Sequence, residues 1–171
     1  CNFIYLNPRP TNVAIKKYYN NNYLPFKGLK HPIFYKIIQK INHYWKKELI
    51  KKYNFNPKII DIGSGDNSFK NYINSSGWKC FSYEPFNITD SDYTKKSFND
   101  TNDTFDIVTL WHSLEHMHNI DDMIVNIKKI ITKDSYVIIA LPNCNSIDSK
   151  LFKKNWIAYD VPRHLFHFTE D

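Results

Sequence analysis

The sequence predicts an α/β fold whose doubly wound sheet is mostly parallel. Three observations carry that expectation. Short apolar runs alternate with helical stretches, a glycine-rich turn follows one of these runs, and 171 residues with 42% hydrophobic content suffice for one buried core. Residues 1–30 read as an irregular arm, because Pro8, Pro10, Pro25 and Gly28 punctuate it around the tract from Tyr18 to Tyr23. One short helix is expected near 12–19, and the tyrosines serve either as a lid or as simple packing. Over 31–53, Phe34, Ile37, Ile38, Ile41, Trp45 and Leu49 recur at helical spacing with Pro32 in the tolerated first turn, so a long amphipathic helix follows. Strands are expected at 58–62, 78–84, 105–111 and 136–141. Helices are expected at 68–75, stopped by Gly77, and at 120–132, where Asn119 caps a first turn holding Asp121 and Asp122. Alternation of this kind implies parallel strands with helices on both faces. Thr169, Glu170 and Asp171 read as the cap and first turn of a further helix. The expected organisation is therefore an arm at 1–30 and a core at 31–171 that is incomplete at its C-terminal end.

Charge and cysteine usage narrow the function classes. The net charge of +6 comes from lysines scattered through Asn-rich stretches, which describes a solvated surface better than a nucleic-acid stripe. Cys1, Cys80 and Cys144 are odd in number and far apart, so no disulfide framework is expected and the cytoplasm is the default compartment. The opening Cys1 leaves a preceding signal segment open. The longest apolar run, 136–141, is far too short to span a bilayer.

The turn Asp61-Ile62-Gly63-Ser64-Gly65-Asp66 sits where a buried strand hands over to a helix, the position at which open α/β sheets bind nucleotides. Glycines there permit a tight turn and close approach of a ligand, although Gly-x-Gly alone also describes an ordinary turn. Glu84 ends the next strand, where a carboxylate can accept from both hydroxyls of a ribose. Ser68 stands where a full dinucleotide fingerprint needs a third glycine. Asp61, Asp66 and Glu84 would repel a pyrophosphate, whereas a ligand carrying sulfonium and ammonium charges would be attracted. The loop thus favours S-adenosylmethionine over NAD.

The exit of the third run is rich in histidine: His112, Glu115, His116 and His118 follow Trp111 closely. If this exit turns helically, His112, Glu115 and His116 share one face and form a candidate metal set or supply a base; no metal is otherwise required. His-x-x-Glu-His is also the inverted zinc-peptidase pattern, but that motif needs a long helix and a downstream acidic ligand. Structural histidines remain the ordinary alternative.

The segments Asp61-Ile62-Gly63-Ser64-Gly65, Phe105-Asp106-Ile107-Val108, Leu114-Glu115-His116, Leu141-Pro142-Asn143 and Asp160-Val161-Pro162-Arg163-His164-Leu165 together resemble class I S-adenosylmethionine-dependent methyltransferases. The nearest branch resembles ubiquinone-biosynthesis O-methyltransferases and bacterial enzymes acting on surface sugars. The resemblance implies a Rossmann-like fold, S-adenosylmethionine as cofactor, and methyl transfer to a small-molecule or saccharide acceptor, at oxygen. It assigns cofactor contact to Asp61, Gly63, Ser64, Gly65 and Glu84, with Trp111 beside the adenosine. His116 is then the first choice of base, with His112 as a second candidate, and Arg163 and His164 form a substrate edge. Arg163 reads equally well as half of a structural ion pair. The opening Cys1 to Pro10 resembles the stretch that follows a small cysteine-rich zinc module in some of these proteins, which would make Cys1 its last ligand.

Two departures qualify the resemblance. Between Pro85 and Thr104 there is too little sequence for the usual helix and third strand, and two further strands and a helix that the family places after Asp171 are missing, which would expose a sheet edge. An NAD-dependent sugar-modifying enzyme, a noncatalytic cofactor-binding module and a metallopeptidase are the rival readings. The sequence does not specify oligomeric state.

Overall fold

The computed structural model describes residues 4–19, 33–85, 92–93 and 95–170. Cys1, the expected last zinc ligand, and Tyr23 lie outside them. Strand β1 (Ile4–Tyr5) opens the described chain, and a 3-10 turn at Ala14–Tyr18 stands where a short helix was expected.

Helix α1 (Ile33–Lys51) confirms the helical period but not the face expected to be buried. Phe34 is 71% and Trp45 66% exposed, and Ile37, Ile38 and Ile41 are also exposed, while the buried positions are His43 and Ile50. The reason is where the helix touches its neighbours. Ile50 enters a cluster with Ile59, Phe69, Ile73, Cys80 and Ile107, and His43 packs on the rings of Phe69 and Tyr72. Among the described residues nothing covers the outer apolar stripe.

The core follows in order: β2 (Lys58–Ile62), α2 (Ser68–Ser75), β3 (Lys79–Tyr83), α3 (Lys95–Asp100), β4 (Phe105–Trp111), a 3-10 turn at Leu114–His116, α4 (Ile120–Ile130) and β5 (Ile131–Ala140). Helix α5 (Ile147–Phe152) and strand β6 (Phe166–His167) complete it. Strands β3, β2, β4 and β5 lie side by side in that order, every pair parallel. Strand alternation sends Ile59 and Ile107 to the α2 side and Ile60, Ile62, Val108 and Leu110 to the α4 side, where Met123, Ile127 and Ile130 meet them. Both faces of the central strands β2 and β4 are thus covered, as in a doubly wound sheet.

Several elements differ from expectation. Strand β5 begins at Ile131 rather than 136, and α4 ends two residues early, because the pairing of Phe105 with Ile131 is followed by an irregularity before Ile107 meets Tyr136. At this irregularity within the strand, Ser135 Oγ accepts from the Thr132 N–H and donates to the Phe105 carbonyl. Between Pro85 and Thr104 the chain does form a helix, the six-residue α3, and Tyr93 lies beside Tyr83 in a single parallel bridge. Thr169 and Glu170 begin no helix; Phe168 bridges to Asn143, whose amide donates to Glu170.

Strand β5 is the last of the four, and Tyr136, Val137 and Ile139 on it are exposed. Strands β1 and β6 pair antiparallel as a separate ribbon. No helix among the described residues is long and apolar enough to cross a membrane.

Candidate active site

At the carboxyl end of β2 the chain turns through Gly63 with φ of +79° and Gly65 with φ of +57°. These are backbone conformations that favour glycine. Gly63 is also sterically required, since a Cβ there would sit 2.3 Å from the Ser113 Cβ. Ser113 itself donates to the Ile62 carbonyl at 2.8 Å, so the exits of β2 and β4 are tied together. The loop satisfies its own donors: Gly63 N–H donates to the Tyr83 carbonyl at 2.7 Å and Gly65 N–H to Glu84 Oε2 at 2.9 Å. Asn67 N–H donates to the Ser64 carbonyl, and Ser68 N–H to Asp66 Oδ1.

Asp61 is buried at the root of this loop and receives the Thr109 hydroxyl at 2.7 Å. Burial pushes its carboxyl up to about 6, although the Thr109 hydrogen bond and the nearby Lys46 charge pull the other way. Trp111, at the end of β4, meets Phe69 edge to face at 5.9 Å between ring centres. Helix α1 forms the facing wall, where Gln39 donates to Ser68 Oγ at 2.9 Å and His43 Nε2 lies 3.2 Å from the same oxygen. Burial, aided by Lys46, lowers the His43 pKa to about 4, so this imidazole is neutral.

The rim is built from distant segments. After Trp111 the chain passes through His112 at φ of +53° and makes one 3-10 turn, Leu114–His116. Glu115 is fully buried, and neither carboxylate oxygen has a hydrogen-bond partner. Desolvation raises its carboxyl to about 7. His164 Nε2 lies 3.9 Å from Glu115 Oε1, and the other ring nitrogen of His164 donates to the Ala158 carbonyl at 2.8 Å. His116 stacks edge on to His164 with ring centres 4.5 Å apart. Its Nδ1 lies 3.1 Å from the Arg163 carbonyl and 2.9 Å from the Tyr19 hydroxyl. A carbonyl can only accept, so Nδ1 carries the hydrogen and Nε2 keeps the lone pair. Burial first, then the His164 charge, pulls the His116 pKa down to about 4.

Floor, wall and rim enclose one cleft of about 350 Å³ at the carboxyl ends of β2 and β4. A sequence model described as a methyltransferase domain matches residues 29–171, most of the chain. The chain belongs to the methyltransferase domain family. No curated protein matches the sequence.

This methyltransferase domain gathers Asp61, Gly63, Ser64, Gly65, Glu84, Trp111, His112, His116 and His164 around that one cleft. Arg163 does not line it. Its guanidinium makes two hydrogen bonds to Asp160, one from Nε at 2.8 Å, and reaches the Tyr18 carbonyl. The single 3-10 turn also separates the expected histidine set. His112 keeps its Nδ1 3.8 Å from Glu115 Oε1 but its side chain is 62% exposed, whereas one ligand atom each from Glu115, His116 and the distant His164 falls within 4.8 Å of the others. His118 is not at the cleft; it receives Arg9 on its carbonyl and faces the Pro10 carbonyl, holding the arm in place. Three further residues line the cleft: Tyr19, from the tract expected to form a lid or to pack, and His43 and Lys46, which the apolar pattern of α1 did not single out. A signal existed for two of them: Gln39, His43 and Lys46 recur at i, i+4 and i+7 on a helix judged only by its apolar stripe.

Proposed function

We propose that this domain transfers a methyl group from S-adenosylmethionine to an oxygen of a small-molecule or saccharide acceptor, as in the ubiquinone-biosynthesis and surface-sugar branch it resembles. One observation carries the choice of donor. The N–H groups of Gly63 and Gly65, which a pyrophosphate would need, are already used by Tyr83 and Glu84, and the buried Asp61 and Glu84 carboxylates stand at the cleft instead. Such a floor repels phosphate and attracts a cation. The free thiols Cys80 and Cys144 fit the reducing cytoplasm proposed for it.

When bound, S-adenosylmethionine supplies a methyl carbon made electrophilic by the attached sulfonium. Asp61 and Glu84 hold the cationic and ribose portions, and Trp111 flanks the adenosine. The cleft walls exclude water and fix the approach of the acceptor, and proximity of this kind is worth on the order of 7 to 11 kcal/mol. His116 removes the acceptor's hydroxyl proton on Nε2 as the new carbon–oxygen bond forms and the carbon–sulfur bond breaks. The products are a methyl ether, a neutral thioether and a proton on the imidazole. Because burial holds His116 near 4, the ring is neutral beforehand and releases that proton readily. Titration calorimetry with S-adenosylhomocysteine and with NAD tests the reading: binding of the first and not the second is expected, and the reverse would discard it.

A second reading has its own observation. Glu115, His116 and His164 form a buried two-histidine, one-carboxylate group, and the Ala158 carbonyl fixes the His164 tautomer as outer partners of metal ligands do. On this reading a divalent cation there orients the acceptor's oxygen. Metal content after purification and turnover after chelation decide it: undiminished turnover in metal-free protein leaves His116 as a simple base.

A further inference from the structure

Helix α1 carries a second face that the cleft does not use. Phe34, Ile37, Ile38, Ile41, Tyr44 and Trp45 recur at helical spacing and form one stripe about three turns long, and each of them is at least 49% exposed. Apolar side chains scattered singly on a surface are ordinary, but a contiguous row marks a place where something docks. Charge runs beside the row. Lys36, Lys40, Lys47 and Lys51, spaced by four and seven residues, follow one flank of the stripe. Glu48, the one acidic residue of α1, is engaged by Lys51 at 3.8 Å. Residues 33–52 hold six lysines against that single glutamate, so five of the chain's six net positive charges sit on this segment; elsewhere basic and acidic residues nearly cancel.

Aromatic and branched apolar side chains on one face, bordered by lysines, are the make-up of a helix that lies in the interface of a bilayer. There the lysine stems cover apolar surface and their ammonium groups reach the headgroups. Such a helix lies on the membrane and does not cross it, in keeping with the absence of any long apolar helix among the described residues. The charge also chooses among occupants. A second copy of the chain laid stripe to stripe would set lysine rows against each other with no acidic row to meet them. A nucleic acid would use the lysines and leave the apolar row without a partner. Gln39, Asn42, His43 and Lys46, which line the cleft, lie on other sides of the helix, so a docked molecule keeps its cleft open. We infer that α1 is a membrane-docking helix, its apolar stripe seated in a bilayer surface rich in anionic lipid and its lysine row held by the headgroup charge. This assignment does not depend on the reaction carried out in the cleft.

Flotation of the whole chain with lipid vesicles tests it. The protein is expected to float with vesicles of equal parts phosphatidylcholine and phosphatidylglycerol and to be released as salt rises, while phosphatidylcholine alone should bind at least about tenfold more weakly. Trp45 emission should shift to the blue on binding, and a shift that persists in Trp45→Phe would place the contact elsewhere and overturn the assignment. Lys40→Gln combined with Lys47→Gln should weaken binding about 25-fold, since each lysine near an anionic surface is worth about fivefold. Phe34→Gln combined with Ile41→Gln should weaken it by at least about tenfold. Glutamine suits a helix and these positions lie outside the core clusters, so the unfolding midpoints of the variants should match the parent and show that the loss belongs to the surface. Undiminished binding in the Phe34 and Ile41 variant would reduce the effect to the general attraction of a basic protein and overturn the assignment. Equal affinity for the two kinds of vesicle, or no flotation of the unmodified chain, overturns it too. A dimer in light scattering that Ile41→Gln dissolves, without lipid binding, would make the stripe a self-interface instead.

Discussion

The floor and the rim of the cleft are built on opposite terms. On the floor, the Gly63 and Gly65 N–H groups and the Asp61 carboxylate have protein partners, Ser64 Oγ being the buried exception, and one stretch of chain provides most of the groups. On the rim, Glu115 is equally buried but has no hydrogen-bond partner, and the histidines beside it come from segments far apart in sequence. A satisfied polar site is rigid and holds a ligand; an unsatisfied one stores reactivity. On the proposed function, the contrast corresponds to binding on the floor and chemistry on the rim.

The sharpest way to test that division is His116→Ala. Turnover should fall by about 10²- to 10⁴-fold while affinity for S-adenosylhomocysteine is unchanged. Parallel loss of both would merge rim and floor into one unit. Next comes Gly63→Ala. Its Cβ would collide with Ser113 and its φ of +79° is strained for alanine, so a stability loss of about 2 to 5 kcal/mol is expected in denaturant titration. A variant as stable as the parent would mean that the β2 and β4 exits separate easily.

Asp61→Asn should weaken S-adenosylhomocysteine by about 10- to 100-fold and leave the fold intact. The same carboxyl sets a pH dependence. It is raised by burial from 3.8 to about 6 in the free protein, and the ligand's ammonium favours its ionised form, so binding below pH 6 must expel a proton. Affinity is expected to be level above about pH 6 and to fall by up to about tenfold per pH unit beneath it. In Asp61→Asn this dependence should flatten; if it persists, another group is responsible. The smallest effect belongs to Gly77→Ala at the end of α2. Gly77 also has positive φ, +88°, but a Cβ there meets nothing within 4 Å. A loss of about 1 kcal/mol, well below that at Gly63, would show that contact with Ser113 and not φ alone sets the cost.

The floor was largely legible in the sequence because its information is local. The bounds of β2, α2 and β4 coincide with the expected ones, and Glu84 was placed at the end of β3 by the alternation of runs. The rim was legible only as a collection of residue types. That Tyr19 would meet His116, that His164 would come within reach of both Glu115 and His116, and that Arg163 would turn to Asp160 all depend on tertiary closure. The orientation of α1 failed for a related reason. Periodicity located the apolar stripe, but contact with α2 and the sheet decided that His43 and Ile50 would be buried and that Lys46 would reach the cleft.

The ribbon of β1 and β6 joins residues separated by nearly the whole described chain. From it a ladder of backbone bonds runs inward: Leu6 N–H to the Leu165 carbonyl, then Leu165 N–H to the Glu115 carbonyl. Contacts of such long sequence separation carry the greatest loop-closure entropy and are expected to consolidate after the sheet has formed. The order of assembly is then imposed by topology. On the proposed function, a refolding chain should regain affinity for S-adenosylhomocysteine before it regains turnover, and binding followed by intrinsic tryptophan fluorescence should recover ahead of enzymatic rate by the time this clasp takes to close.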